Sequence, residues 1–79
     1  MQSMSKRSEP QLNLAQRART TTGLSQSEFS DRYRIAVGTL RSWEQGDRKP
    51  DRTASVYLLL IESQPEIVAT LVSKLPLLG

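Results

Sequence analysis

The sequence predicts an all-α fold of five short helices. Apolar residues recur three and four positions apart in successive segments, which is the spacing of one face of a helix. Glycines and prolines stand between these segments, at positions where helices typically end or begin. No segment shows the regular alternation of apolar and polar residues that is typical of a strand. We therefore expect one small domain built from helices alone.

The composition excludes most catalytic and metal-binding chemistry. The 79 residues include no cysteine and no histidine. The absence of cysteine excludes disulfides, thiolate ligands and a cysteine nucleophile. The absence of histidine excludes the commonest general base and the commonest metal ligand. We predict that the protein is not an enzyme and uses neither cofactor nor metal.

Positive charge is concentrated in the first two thirds of the chain. Residues 1–53 contain ten Lys and Arg against six Asp and Glu, whereas residues 54–79 contain one Lys against two Glu. An excess of cations on one part of a small domain favours a polyanionic partner such as nucleic acid. The alternative is ordinary surface charge, since a net charge of +3 is also typical of a soluble domain.

The N-terminal third begins with a polar segment and continues into the first helix. Residues 1–10 are predicted to be a disordered tail, and they lack the apolar run of a signal peptide. Helix one is expected over residues 11–22, with Gly23 after its end. The longest apolar run, residues 56–61, is far shorter than a membrane span. We expect a cytoplasmic protein that does not contact a membrane.

Helix two has a complete start signal. Ser25 and Glu28 form a capping box, in which each side chain accepts a hydrogen bond from the other residue's amide. Leu24 precedes the cap and is placed to pack on Phe29, and Tyr33 follows one turn later. Residues 34–36 are then expected to form a turn, with the side chain of Ile35 pointing inward.

Helix three is expected over residues 37–45, ended by Gly46. Leu40 and Trp43 lie three residues apart and should face the core. Gly38 inside this helix costs about 1 kcal/mol in helix propensity, and such local conflicts often lie at functional sites. We expect Glu44 to pair with an arginine, and the sequence leaves Arg17 and Arg32 as alternatives. The predicted core of helices two and three comprises Leu24, Phe29, Tyr33, Ile35, Leu40 and Trp43.

Helices four and five carry more apolar surface than one core can cover. Helix four is expected over residues 51–63 and is apolar on several faces, while helix five, over residues 65–75, has one apolar stripe. We predict a DNA-binding unit over residues 11–63 and a dimerisation helix within residues 64–79. The predicted homodimer interface is formed by Tyr57, Ile61, Ile67, Leu71 and Leu75. The alternative is that helix five folds back on its own core.

Two short helices joined by a tight turn predict a helix-turn-helix that reads DNA. A helix that enters the major groove presents three or four small or hydrogen-bonding side chains outward near its N-terminus. Arginine suits guanine, valine suits a thymine methyl, and a helix N-terminus suits phosphate. The predicted base contacts are Gln26, Val37, Gly38, Arg41 and Ser42, and the predicted phosphate contacts include Gln26, Arg48, Lys49 and Arg52. The alternative for each cation is a solvated surface residue.

Two motifs at this separation resemble one known family. Gly-Leu-Ser-Gln over residues 23–26 with Phe29, followed by Leu40, Trp43-Glu44 and Gly46, is similar to the Xre/Cro-repressor helix-turn-helix family, most of all its HigA-type antitoxin regulators. The resemblance covers residues 11–75. Two positions differ from the family pattern, since Ala36 replaces the usual capping Ser or Thr and Arg34 replaces the usual turn glycine.

The resemblance implies a five-helix, repressor-like domain that dimerises on a palindromic double-stranded operator and represses transcription. In the antitoxin branch it also implies autorepression of a toxin–antitoxin operon and binding of a cognate toxin protein, a small ribonuclease. A further phosphate contact, from the hydroxyl of Thr39, is implied by the same comparison. Two alternatives remain: a stand-alone or phage-type regulator, and a protein-interaction module that does not bind DNA.

Overall fold

The computed structural model describes residues 11–76. The predicted N-terminal tail lies outside the described residues. The fold is an all-α domain of five helices, with no strand between residues 11 and 76. The helices are α1 Leu14–Thr22, α2 Gln26–Tyr33, α3 Val37–Gln45, α4 Arg52–Ser63 and α5 Pro65–Ser73. The all-α prediction is therefore confirmed.

Capping residues explain where the helices begin. Ser25 and Glu28 form the predicted capping box at the start of α2. Hydrogen bonds from the amide and hydroxyl of Ser25 lower the pKa of the Glu28 carboxyl. Asp51 caps α4 by accepting from the Ala54 amide at 2.8 Å, so this helix starts one residue later than predicted.

The start of α1 differs from the prediction by three residues. Asn13, and not a residue near position 11, is the N-cap, and it forms a second capping box with Gln16. Its side-chain amide also donates to the carbonyls of Trp43 and Glu44, each at 3.1 Å. Asn13 therefore fixes the start of α1 and joins it to the C-terminal end of α3, whose last carbonyls lack helical partners.

The turn between α2 and α3 follows the sequence expectation. Ala36 stands at the N-cap of α3 and makes no side-chain cap bond. Arg34 adopts the left-handed conformation, with φ of 57°, which non-glycine residues rarely take. Its guanidinium donates to the carbonyls of Leu75 and Pro76 at 3.2 and 3.3 Å. These bonds connect the turn to the segment that follows α5.

The core is formed by residues from all five helices. Phe29, Tyr33 and Leu40 are buried as predicted, and the rings of Phe29 and Tyr33 lie 4.8 Å apart. The other predicted core residues, Leu24, Ile35 and Trp43, are half-buried and pack against this centre. The rest of the buried apolar set comprises Ala15, Ala18, Leu58, Ile61, Val68 and Val72.

The last helix belongs to the same core as the helix-turn-helix. Val68 and Val72 of α5 are buried, and α5 packs against both α2 and α4. The two helices α4 and α5 meet at a bend of 117°. No single helix between residues 11 and 76 is long and apolar enough to cross a membrane. Within this range, only the bent pair α4 and α5, taken together, has the length and apolar composition of a membrane span.

Two tyrosine hydroxyls connect α2 to the C-terminal helices. The hydroxyl of Tyr33 donates to the Pro65 carbonyl at 2.8 Å, and that of Tyr57 donates to the Tyr33 carbonyl at 2.7 Å. Burial raises the pKa of both phenols above the ordinary value. The folded protein therefore holds these two protons more tightly than the unfolded chain does.

This difference predicts that stability falls at alkaline pH. Above about pH 10 the unfolded tyrosines lose protons while the folded ones retain them, so the free energy of unfolding decreases as pH rises through the raised pKa values. Below pH 10 the contribution is fully present. Urea unfolding followed by circular dichroism between pH 8 and 11.5 measures the effect. In the Tyr57→Phe variant the decrease should be shallower, and an unchanged slope would contradict the assignment.

Candidate nucleic-acid interface

One face of α3 is open to solvent, and it is the candidate reading surface. Leu40 and Glu44 are buried on the opposite side of the helix. Because a helix turns 100° per residue, Gly38, Arg41, Ser42 and Gln45 then share the outward face. Three of them are exposed and Ser42 is half-buried. The exposed strip is short, polar and carried by a helix that is anchored in the core.

The strip agrees only in part with the residues named from sequence. Val37 is half-buried at one edge of the strip, and Thr39 is half-buried near the side of Trp43. Gln45, which sequence reasoning missed, is exposed one turn after Arg41 and two turns after Gly38. Its spacing could have predicted this position, because Gln45 follows Arg41 by four residues and Gly38 by seven, and both intervals return to the same helix face.

Gly38 leaves a gap at the N-terminal end of this face. A Cβ atom placed on Gly38 would meet nothing within 4 Å. The glycine is therefore not required by packing inside the protein, although it weakens the helix. Its absence of a side chain exposes the backbone of α3 one turn before Arg41 and Ser42.

Gln26 connects the strip to a buried carboxylate. Its amide nitrogen donates to Oε1 of Glu44 at 3.1 Å, and its amide oxygen accepts from Nε of Arg41 at 3.4 Å. A carboxamide has two N–H donors and two lone pairs, so one of each remains for another partner. The predicted contact residue Gln26 thus lies beside Arg41 and still has hydrogen-bonding capacity.

The partner of Glu44 is neither of the two arginines considered from sequence. Arg19 of α1 donates from Nε and Nη2 to the two carboxylate oxygens at 2.7 and 2.9 Å. Arg17 instead pairs with Glu62 of α4 at 3.0 Å, and Arg32 is exposed. The predicted pairing of Glu44 with Arg17 or Arg32 is therefore wrong. Arg19 reaches Glu44 because it lies one turn after the buried Ala15, on the face of α1 that meets α3.

The Arg19–Glu44 pair is the most buried ionic contact of the described region. The side chain of Glu44 is 6% exposed and that of Arg19 is 24% exposed. The hydrogen bond to Glu44 raises the pKa of Arg19, and burial opposes this increase. Arg19 also donates to the Leu24 carbonyl at 3.1 Å. The pair therefore joins α1, α3 and the segment that precedes α2.

Donors for phosphate lie on both sides of α3. On one side, the amides of Gln26 and Ser27 make no hydrogen bond within residues 11–76, as expected for the first turn of a helix. On the other side, Arg48, Lys49 and Arg52 are exposed in the loop after α3 and at the start of α4. None of these three cations forms an ion pair in the described region.

Comparison with known proteins does not identify this chain. No family model matches it, and neither does a curated protein or a solved structure. Among residues 11–76 there is no group of three or more His, Cys, Asp or Glu that could hold a metal ion. Functional inference therefore depends on the geometry of the α3 face and its surroundings.

Proposed function

We propose that this protein is a sequence-specific DNA-binding transcriptional repressor that acts in the cytoplasm. The observation that supports it is the exposed polar strip of α3, flanked on both sides by unpaired donors for phosphate. A polar strip on a core-anchored helix matches what a major groove about 12 Å wide can accommodate. The cations around it supply the sequence-independent part of the affinity.

In this proposal the side chains of α3 divide the reading of base edges. Arg41 donates two hydrogen bonds to a guanine, and Val37 contacts a thymine methyl at the edge of the strip. Ser42 and Gln45 offer hydrogen bonds further along the face, and Gly38 allows the helix backbone to approach the bases closely. Gln26 contacts a base or a phosphate with its remaining donor and acceptor.

The surrounding donors position the helix in the groove. The N-terminus of α2 binds a phosphate through its unpaired amides and its dipole. Arg48, Lys49 and Arg52 bind phosphates on the opposite side, and Thr39 contributes a hydroxyl. Such contacts fix the register of the protein on the duplex, while the α3 face provides the sequence preference.

The decisive experiment is a gel-shift titration against the protein's own promoter. We expect a discrete complex, and a scrambled duplex of the same length and composition should bind more weakly. Affinity should fall steeply as salt increases, because phosphate contacts release counterions. The absence of any complex at low salt, where these contacts are strongest, would refute the proposal.

An exposed apolar surface on α4 and α5 supports a homodimer. Six large apolar side chains of α4, of α5 and of the segment after α5 are about half exposed or more: Val56, Leu59, Leu60, Ile67, Leu71 and Leu75. Of the interface residues named from sequence, Ile61 is fully buried within one copy, so it cannot contact a second one. Tyr57 is half-buried, with its hydroxyl bonded to α2. The interface is therefore proposed to include Ile67, Leu71 and Leu75, together with the exposed residues of α4.

The dimer predicts a response to charge on this surface. Leu71→Glu should shift the protein to a monomer, because a carboxylate at the interface would be buried without a partner. Sedimentation equilibrium at tens of micromolar measures the change. Ser73→Glu, an exposed residue of α5 on the side that faces α2, is the control and should remain dimeric. A wild-type protein that is monomeric at this concentration would contradict the dimer. On a palindromic operator, the proposed dimer would place its two α3 helices about 34 Å apart.

Gly38→Ala should move stability and DNA binding in opposite directions. Alanine should stabilise α3 by about 1 kcal/mol, and no neighbouring atom opposes its methyl group. In the complex the methyl group keeps the backbone from the bases, so operator affinity should fall about tenfold, the equivalent of ~1.4 kcal/mol. Thermal unfolding and gel-shift titration of the same sample test both effects. Unchanged affinity would show that the backbone of α3 does not approach the bases at Gly38.

Within the repressor class we propose an antitoxin that represses its own toxin–antitoxin operon. This role depends on the resemblance to HigA-type regulators, and its test is whether the adjacent gene encodes a small ribonuclease-like toxin that co-purifies with this protein. A solitary gene or a phage context would instead indicate a stand-alone regulator. The apolar surface of α4 and α5 also fits a protein-interaction module, which a negative gel shift together with partner binding would establish.

A further inference from the structure

A cleft lies beside the only tryptophan of the chain. It is formed by the start of α1, the end of α3 and the loop that leads into α4, and its volume is about 360 Å³. Leu14, Ala15, Trp43 and Pro50 give it largely apolar walls, and Arg48 and Lys49 also line it. This volume falls within the range of small-molecule sites, which is about 300–1,000 Å³.

The polar groups around this cleft favour an anionic ligand. No acidic residue lines it, and neither Arg48 nor Lys49 has an ion-pair partner among residues 11–76. The other polar side chains of the lining, Asn13 and Ser55, already donate to backbone carbonyls. Of the two nearby acids in the loop, Asp51 already accepts from the Ala54 amide, and Asp47 is exposed to solvent. The cleft thus combines largely apolar walls with two cations that have no ion-pair partner in the described region.

We propose that this cleft binds a small aromatic carboxylate. The flat apolar body of the ligand packs beside the indole of Trp43 and the ring of Pro50, where apolar area is removed from water. Its carboxylate accepts hydrogen bonds from Arg48 and Lys49, which are stronger than those between neutral groups. An aliphatic or uncharged ligand satisfies only part of this arrangement.

Ligand binding at this cleft has a consequence for DNA, and this part depends on the proposed function. Arg48 and Lys49 are also two of the proposed phosphate contacts. A carboxylate held between them neutralises the charge that the DNA backbone would otherwise meet. The ligand should therefore weaken operator binding, which would make the cleft an effector site.

Nuclear magnetic resonance tests ligand binding without DNA. Because the chain has one tryptophan, its indole N–H gives a single cross-peak in an ¹⁵N–¹H correlation spectrum. We expect titration with naphthalene-2-carboxylate to shift this peak to saturation. The uncharged naphthalene-2-carboxamide should bind with an affinity at least about tenfold lower, since it lacks the charge-assisted bonds. An indole peak that does not move, or equal binding of the two probes, would overturn the proposal.

Two variants separate this cleft from the apolar surface of α4 and α5. The double change Arg48→Gln with Lys49→Gln should weaken carboxylate binding about tenfold or more. Ile67→Gln with Leu71→Gln removes apolar area elsewhere and should leave the titration unchanged. If the Ile67 and Leu71 changes weaken carboxylate binding while the Arg48 and Lys49 changes do not, the probe binds on α4 and α5, and the proposed cleft site is refuted. A gel shift with the carboxylate present then tests the effector role, because the ligand should weaken operator binding. If the protein binds the probe but no DNA, only the proposed repressor function is refuted.

Discussion

Replacing Glu44 with alanine is expected to destabilise the domain by about 3 kcal/mol, the lower end of the range for breaking a buried ion pair. The lower end applies because Arg19 keeps a 24% exposed side chain, so water can solvate part of its charge. The change leaves the Arg19 guanidinium without its two carboxylate bonds and removes the acceptor of Gln26. A domain of this length has a total stability of roughly 4–12 kcal/mol, so the loss is a large fraction of it. Urea unfolding at neutral pH, with linear extrapolation, measures the difference.

Glu62→Ala is the matched control for this prediction. It removes the same carboxylate from the Arg17–Glu62 pair, whose side chains are 42% and 30% exposed. Exposed pairs typically contribute about 0.2–1 kcal/mol, so the control should lie in that range. Equal losses in the two variants would show that burial does not distinguish the pairs. Such a result would contradict the structural role given to Glu44.

Arg41→Ala is expected to cost about 1–3 kcal/mol of operator affinity and to relax the preference at one base pair. Arg41 is exposed on the α3 face and is steered by the 3.4 Å contact with Gln26, so its guanidinium is available to a guanine edge. Because its side chain lies outside the core, the free energy of unfolding should change little. Gel-shift titrations against the operator and a set of single-base variants measure affinity and preference together.

Lys49→Ala provides the contrast within the same experiment. If Lys49 contacts only phosphate, its removal should weaken binding to every duplex by a similar factor and reduce the salt slope by about one. Arg41→Ala should change the ranking of the base variants, whereas Lys49→Ala should preserve it. Identical behaviour of the two variants would contradict the assignment of base reading to α3.

The sequence predicted local features well because they depend on neighbours within a few residues. The Ser25–Glu28 box, the stop at Gly46 and the missing cap at Ala36 each involve atoms at most four residues apart. Helical periodicity likewise placed Leu40 inward and Gly38 and Arg41 outward. It also contained the signal for Gln45, which follows from the same 100° rotation per residue.

Only the tertiary structure decided which helices meet and therefore which polar groups pair. Glu44 is 25 residues from Arg19, and Asn13 reaches a carbonyl 31 residues away, so no local spacing selects these partners. For the same reason, the sequence could not show that Ile61 is covered by its own fold while Leu71 stays exposed. Periodicity determines the face of a helix on which a residue lies. Whether that face is buried depends on the packing of the whole chain, because burial is set by what other helices remove from water.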